Sequence, residues 1–150
     1  ELMSEITLDP ASCEAAQSRH SLIKYYYDIN TNGLEMRWFG NVFMNHPFSK
    51  KGNKAWIAKL LSEYQTGNIH QACCLTYAAM NAIWFSPLLE FPQYFFRGRV
   101  EYESPNGGSE GQVLKDSVLT FLPPKNMRMP DAKRRLQDAL EHRHEGKAKW

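Results

Sequence analysis

The sequence predicts an α/β fold, with a mostly parallel central sheet finished by an antiparallel hairpin at its C-terminal end. Three observations carry that expectation. Strand-like and helix-like segments alternate through the first two thirds of the chain. Ala72-Cys73-Cys74-Leu75 is apolar at every position, as a strand covered on both faces of a parallel sheet must be. Two strand-like runs, Tyr94–Tyr102 and Ser117–Leu122, then follow one another, separated by a Gly/Ser/Pro/Asn-rich connection at 104–111.

Taken in order, Ile6-Thr7-Leu8-Asp9-Pro10 predicts a short strand ended by proline, and Ala11 to Ala16 the start of a helix. Ile23–Tyr27 is a second strand rich in aromatics, and Asp28–Gly33 carries turn chemistry in Asn30, Asn32 and Gly33. Asn41-Val42-Phe43-Met44 is a third strand, entering Asn45-His46-Pro47-Phe48 and then a polar, basic loop, 49–53. The clearest helix follows, because Trp56, Ile57, Leu60, Leu61 and Tyr64 form one apolar stripe. Asn53 is its expected N-cap and Gly67 its expected stop. The double-faced strand at 72–75 comes next, then a short helix at Asn81–Leu89, the two late strands, and a last helix from about Pro130 to His144.

A chain of 150 residues is the size of one domain with one proper core, and 43% apolar with 23% charged residues is an ordinary globular composition. The organisation read from it is a core at 1–124 followed by a basic helical tail at 125–150. That tail holds eight basic and four acidic residues, so it carries +4 while the remainder carries −2. Such a tail suits a phosphate backbone; a solvated helix face is the competing reading. Three cysteines, an odd number with two adjacent in an apolar run, argue against a disulfide framework and point to a reducing, cytoplasmic setting. No stretch reaches the ~20 apolar residues of a membrane span. The chain opens at Glu1 close to its first strand, which leads us to expect a further segment upstream.

In open α/β sheets ligands gather beyond the carboxyl ends of the strands. Two segments place a polar residue, a proline and a loop in that position: Leu8-Asp9-Pro10-Ala11-Ser12 and Met44-Asn45-His46-Pro47-Phe48, with Asn32-Gly33-Leu34 between them. These motifs resemble, in order and spacing, those of the phage-type DNA adenine-N6 methyltransferases. The resemblance runs from about Ile6 to Leu122. It also takes in Trp38 before the third strand, Trp56-Ile57 on the next helix and Phe96-Arg97-Gly98-Arg99-Val100-Glu101-Tyr102 late in the chain.

The resemblance implies a Rossmann-like methyltransferase fold and S-adenosylmethionine as cofactor, contacted by Asp9, Pro10, Ala11, Ser12, Asn32 and Leu34. This cofactor has no phosphate, so a glycine-rich phosphate cradle is not required. The resemblance also implies that Asn45, His46, Pro47 and Phe48 form the catalytic tetrapeptide. The exocyclic nitrogen of adenine shares its lone pair with the ring and is a poor nucleophile. An asparagine oxygen and the next main-chain carbonyl hold its hydrogens and turn the lone pair outward. The aromatic ring stacks on a base drawn out of its helix.

Two positions depart from the family: His46 replaces a proline whose fixed φ would hold that carbonyl, and Asn32 replaces an aspartate. Lys50, Lys51, Arg97 and Arg99 are assigned to the DNA backbone, with solvated surface charge as the competing reading. The implied partner is DNA, with no membrane and no metal; His142 and His144 flanking Arg143 are a weak metal pattern. Without the resemblance, Asp9-Pro10 reads as a helix-entry cap, Cys73 and Cys74 as core packing on opposite faces, and Trp84 and Phe85 as core. Two other functions are compatible with the motifs. One is a catalytically silent DNA-binding or partner-binding protein; the other is methylation of RNA or a free nucleotide.

Overall fold

A computed structural model describes residues 2–19, 23–97 and 116–141. The described elements are β1 (Ile6–Asp9), α1 (Glu14–Arg19), β2 (Ile23–Tyr26), β3 (Gly40–Met44), α2 (Lys50–Gln65), β4 (Ile69–Tyr77), a 3-10 turn (Ser86–Glu90), β5 (Gln93–Phe95), β6 (Ser117–Leu122) and α3 (Met129–Glu141). The strands form one mixed six-stranded sheet in the order β2-β1-β3-β4-β6-β5. β2, β1, β3 and β4 are mutually parallel, and β6 lies antiparallel between β4 and β5. The protein is therefore α/β, with a mostly parallel sheet ending in an antiparallel pair.

The alternation of side chains along the central strands divides the core into two layers. Leu8, Val42, Met44, Ala72 and Cys74 pack beneath Ile57 and Leu60 of α2, joined by Trp38, Phe85 and Leu88. Cys73, Leu75, Leu119 and Phe121 face the other way, against Ala132, Leu136 and Leu140 of α3. The adjacent cysteines thus lie on opposite faces, both buried and unpaired, as core residues. Burying an aliphatic side chain of this size stabilises the fold by roughly 1.5–3 kcal/mol each, which is what keeps both helices on the sheet. Among the described residues no helix is long and apolar enough to cross a membrane.

Several boundaries differ from expectation, each for a local reason. The N-cap of α2 is Ser49, four residues before the expected Asn53: the Ser49 hydroxyl accepts the Gly52 N–H at 2.9 Å, and Lys50–Gly52 form the first turn rather than a loop. Its end is as expected. Gly67 sits at φ +81°, its N–H bonded to Tyr64 O and the Asn68 N–H to Glu63 O. β4 extends beyond the apolar run in both directions because Gln71 and Thr76, though polar, are buried in the sheet. The expected 81–89 helix does not form as an α-helix: its first five residues are turn or irregular, tightening into the 3-10 segment at Ser86. α1 starts at Glu14, where the Ala16 and Gln17 amides donate to Cys13 O, so Asp9 ends a strand and is not a helix cap.

Candidate functional site at the carboxyl edge of the sheet

From β1 the chain passes through α1 to β2 on one side, and then returns to place β3 on the other side of β1. Strand order therefore reverses between β1 and β3, the position at which open α/β sheets form their ligand crevice. The segments following these two strands are Asp9–Ser12 and Asn45–Phe48.

Asp9 is 7% exposed, and its Oδ1 accepts the Ala11 N–H at 3.0 Å. Burial pushes its carboxyl up to about 6, although hydrogen bonds from Ala11 and Ser12 pull the other way. The loop is tied to the end of β2: the Tyr27 N–H donates to Asp9 O at 3.0 Å and the Ser12 N–H to Tyr27 O at 2.9 Å. The Ser12 hydroxyl accepts from Gln17 Nε2 at 2.7 Å. Pro10 is buried, and Ala11 and Ser12 are half-buried.

Asn32-Gly33-Leu34 meets this loop directly. A Cβ on Gly33 would lie 1.9 Å from the Pro10 carbonyl oxygen, so glycine is required by close backbone approach. Asn32 is exposed at φ +51°, a left-handed conformation that asparagine tolerates better than most residues. Leu34 is half-buried. The Gly33 carbonyl accepts the buried Trp38 Nε1–H at 2.8 Å.

In the Asn45–Phe48 segment the side chains divide their roles. Asn45 is half-buried and makes no side-chain hydrogen bond among the described residues. Pro47 is exposed; Phe48 is half-buried, its ring 4.2 Å from that of Tyr77 at the end of β4. His46 continues the inward alternation of Val42 and Met44 and is 1% exposed. Its Nε2 lies 2.8 Å from Asn53 Oδ1, which requires the neutral ring to carry its proton on Nε2. Burial lowers its pKa, against a smaller upward pull from Asn53. The imidazole stacks at 6.1 Å on Trp56, which stacks at 6.1 Å on Trp38. This row of rings joins the 45–48 loop to the Gly33 loop.

No family model, curated protein or solved structure matches this chain.

The expected cofactor and catalytic segments are thus brought to one edge of the sheet. The basic residues are less gathered. Lys50 opens α2, Lys51 and Arg97 are exposed, and Arg99, like His142 and His144, lies outside the described residues. In the tail, Arg128 and Arg134 both pair with Asp131, and Lys125 donates to Gln65 O. No cluster of three potential metal ligands occurs among the described residues.

Sequence reasoning missed Asn53 and Tyr77 as neighbours of the site. Asn53 had a signal: it stands three, four and seven residues before Trp56, Ile57 and Leu60, on the same helical face, where a polar residue must find a buried partner. Tyr77 had none, since only strand pairing brings the end of β4 beside Phe48. Chemically, the edge offers a buried carboxyl group, an amide with no hydrogen-bond partner among the described residues and a half-buried aromatic ring. That set suits a ligand with hydrogen-bond donors and a flat π-surface.

Proposed function

We propose that this chain is an S-adenosylmethionine-dependent methyltransferase of Rossmann-like fold that modifies the N6 amino group of adenine in DNA. The observation that carries the reading is the convergence, at the switch point, of Asp9–Ser12, Asn32–Leu34 and Asn45–Phe48, with the Asn45 amide left without a hydrogen-bond partner among the described residues. The parallel block closed by antiparallel β6 agrees with it.

The residues present fit the cofactor. Asp9 is a buried carboxyl whose protein hydrogen bonds do not offset its burial, so a cationic amino group or a ribose hydroxyl would stabilise the ionised form. Asn32 supplies an exposed amide for the purine, with Pro10, Ala11, Ser12 and Leu34 along the loops. When bound, S-adenosylmethionine supplies the electrophilic methyl group. The chain's own part is orientation. Asn45 Oδ1 accepts one hydrogen of the adenine amine and the His46 carbonyl the other, which concentrates the nitrogen lone pair toward the methyl donor. Phe48 stacks on the extruded base. As the N–C bond forms and the S–C bond breaks, a thioether would leave; fixed dipoles stabilise the charge that develops on the amine until its surplus proton passes to solvent water, without a covalent enzyme intermediate. Lys50, Lys51, Arg97 and Arg99 are assigned to the phosphate backbone.

The test is transfer of a labelled methyl group to duplex DNA, with RNA and free nucleotides assayed in parallel, followed by sequencing for modified adenine. Asn45→Ala is expected to abolish transfer while leaving the unfolding temperature unchanged. Normal methylation by that variant would remove Asn45 from the reaction. A folded protein that neither binds S-adenosylmethionine nor transfers methyl would instead be a silent DNA-binding or partner-binding module.

A further inference from the structure

We propose that the His46–Asn53 hydrogen bond is the positioning element of the catalytic loop, fixing the main-chain carbonyl at position 46 from the side-chain end. The inference rests on the methyltransferase reading of the site and deepens it. A main-chain acceptor is useful only if its direction is constant, and a histidine, unlike a proline, does not restrict its own φ. The loop from Asn45 to Ser49 has no regular secondary structure to supply that restraint.

The side chain supplies it instead. His46 is almost wholly buried, wedged edge-on against Phe48 at 5.4 Å and stacked on Trp56. Its Nδ1 is buried with no partner among the described residues, so the bond to Asn53 is the ring's one polar tether among them. The anchor is rigid in turn. Asn53 is 7% exposed in the first turns of α2, its own N–H bonded to Ser49 O at 3.0 Å. With the ring held by a helix, the backbone at 46 is held between Met44, which is buried in the sheet, and Phe48. The same column reaches the donor side, since Trp56 Cη2 lies 3.2 Å from where a Gly33 Cβ would stand. One row of aromatic rings therefore sets the distance between the two loops that must present donor and acceptor.

The experiment compares Asn53→Leu, which removes the acceptor but keeps the bulk, with Asn53→Asp, which keeps an acceptor oxygen. Each is made in the parent protein and in a His46→Pro background. For every protein, kcat and KM for DNA, cofactor Kd by calorimetry and the unfolding temperature are measured. In the parent, Asn53→Leu is expected to lower kcat on the order of 10²-fold, the cost of a misplacement near 1 Å. KM for DNA and cofactor Kd should move far less, and Asn53→Asp should restore most of kcat. In the His46→Pro background the penalty of Asn53→Leu should shrink at least tenfold, because the ring it tethers is gone. If Asn53→Leu does not fold, Asn53→Ala takes its place.

An active parent in which Asn53→Leu keeps full kcat, or loses the same factor in both backgrounds, would overturn the positioning role and leave the proposed function standing. A parent that transfers no methyl to any nucleic acid would remove both, and that outcome is read from the unsubstituted protein alone.

Discussion

Asp9→Asn should make the protein more stable at neutral pH and a poorer cofactor binder. The carboxyl is 7% exposed and titrates at about 6 instead of 3.8, because burial penalises its charge more than the Ala11 and Ser12 hydrogen bonds favour it. Protonation is therefore easier in the fold than in the unfolded chain. The fold is free of the charging cost below the unfolded value of 3.8 and bears it in full once pH rises past about 6. At roughly 1.4 kcal/mol per pH unit, the gap between the two values amounts to about 3 kcal/mol. Asparagine keeps the oxygen that accepts the Ala11 N–H while removing the charge. The variant should gain up to about 3 kcal/mol at pH 7.5, a rise of about 6–12 °C in unfolding temperature for a chain of this length. Integrating the same linkage, roughly half of that gain should remain at pH 5 and well under 1 kcal/mol at pH 4. Cofactor affinity should move the opposite way. It should fall at least tenfold in the variant, and by about tenfold in the parent between pH 7.5 and pH 5 as the carboxylate takes up its proton. Thermal unfolding and calorimetry across pH 4–8 measure both. A variant no more stable than the parent at pH 7.5, or a gain that persists unchanged at pH 4, would refute the burial argument.

Gly33→Ala places a methyl group 1.9 Å from a backbone oxygen that cannot swing aside, so the two loops must part. A loss of at least 1–3 kcal/mol is expected, seen in denaturant unfolding, together with weakened cofactor binding. Phe48→Ala should raise KM for DNA several-fold more than it changes cofactor Kd, because the ring sits with Tyr77 on the acceptor side; equal effects on both would argue against stacking. Leu136→Ala in α3 should cost about 2–5 kcal/mol, since that side chain is 2% exposed against the sheet. A cost below 1 kcal/mol would mean that the helix is dispensable to the core.

How much of this was legible in the chain depends on where the governing interaction lies. β6 matches its expected bounds, and β1, β2 and β3 theirs to within one residue, because period-two patterns and turn residues are local signals. The stop of α2 was legible for the same reason: Gly67 answers a conformational need of its own backbone. The start of α2 was not. Ser49 and Asn53 are both good caps, and only the fold shows that Asn53 is occupied by His46 seven residues earlier. The C-terminal helix reads as a charged tail in sequence, yet Ala132, Leu136 and Leu140 close one face of the sheet. Three apolar residues among many charges acquire that meaning only when a sheet is present to receive them. The order of the motifs was likewise in the sequence, but their convergence was not. That Gly33 touches Pro10, that Phe48 meets Tyr77 and that His46 turns inward are consequences of strand order and register. These depend on residues tens of positions apart, and hydrophobic periodicity carries no information at that range.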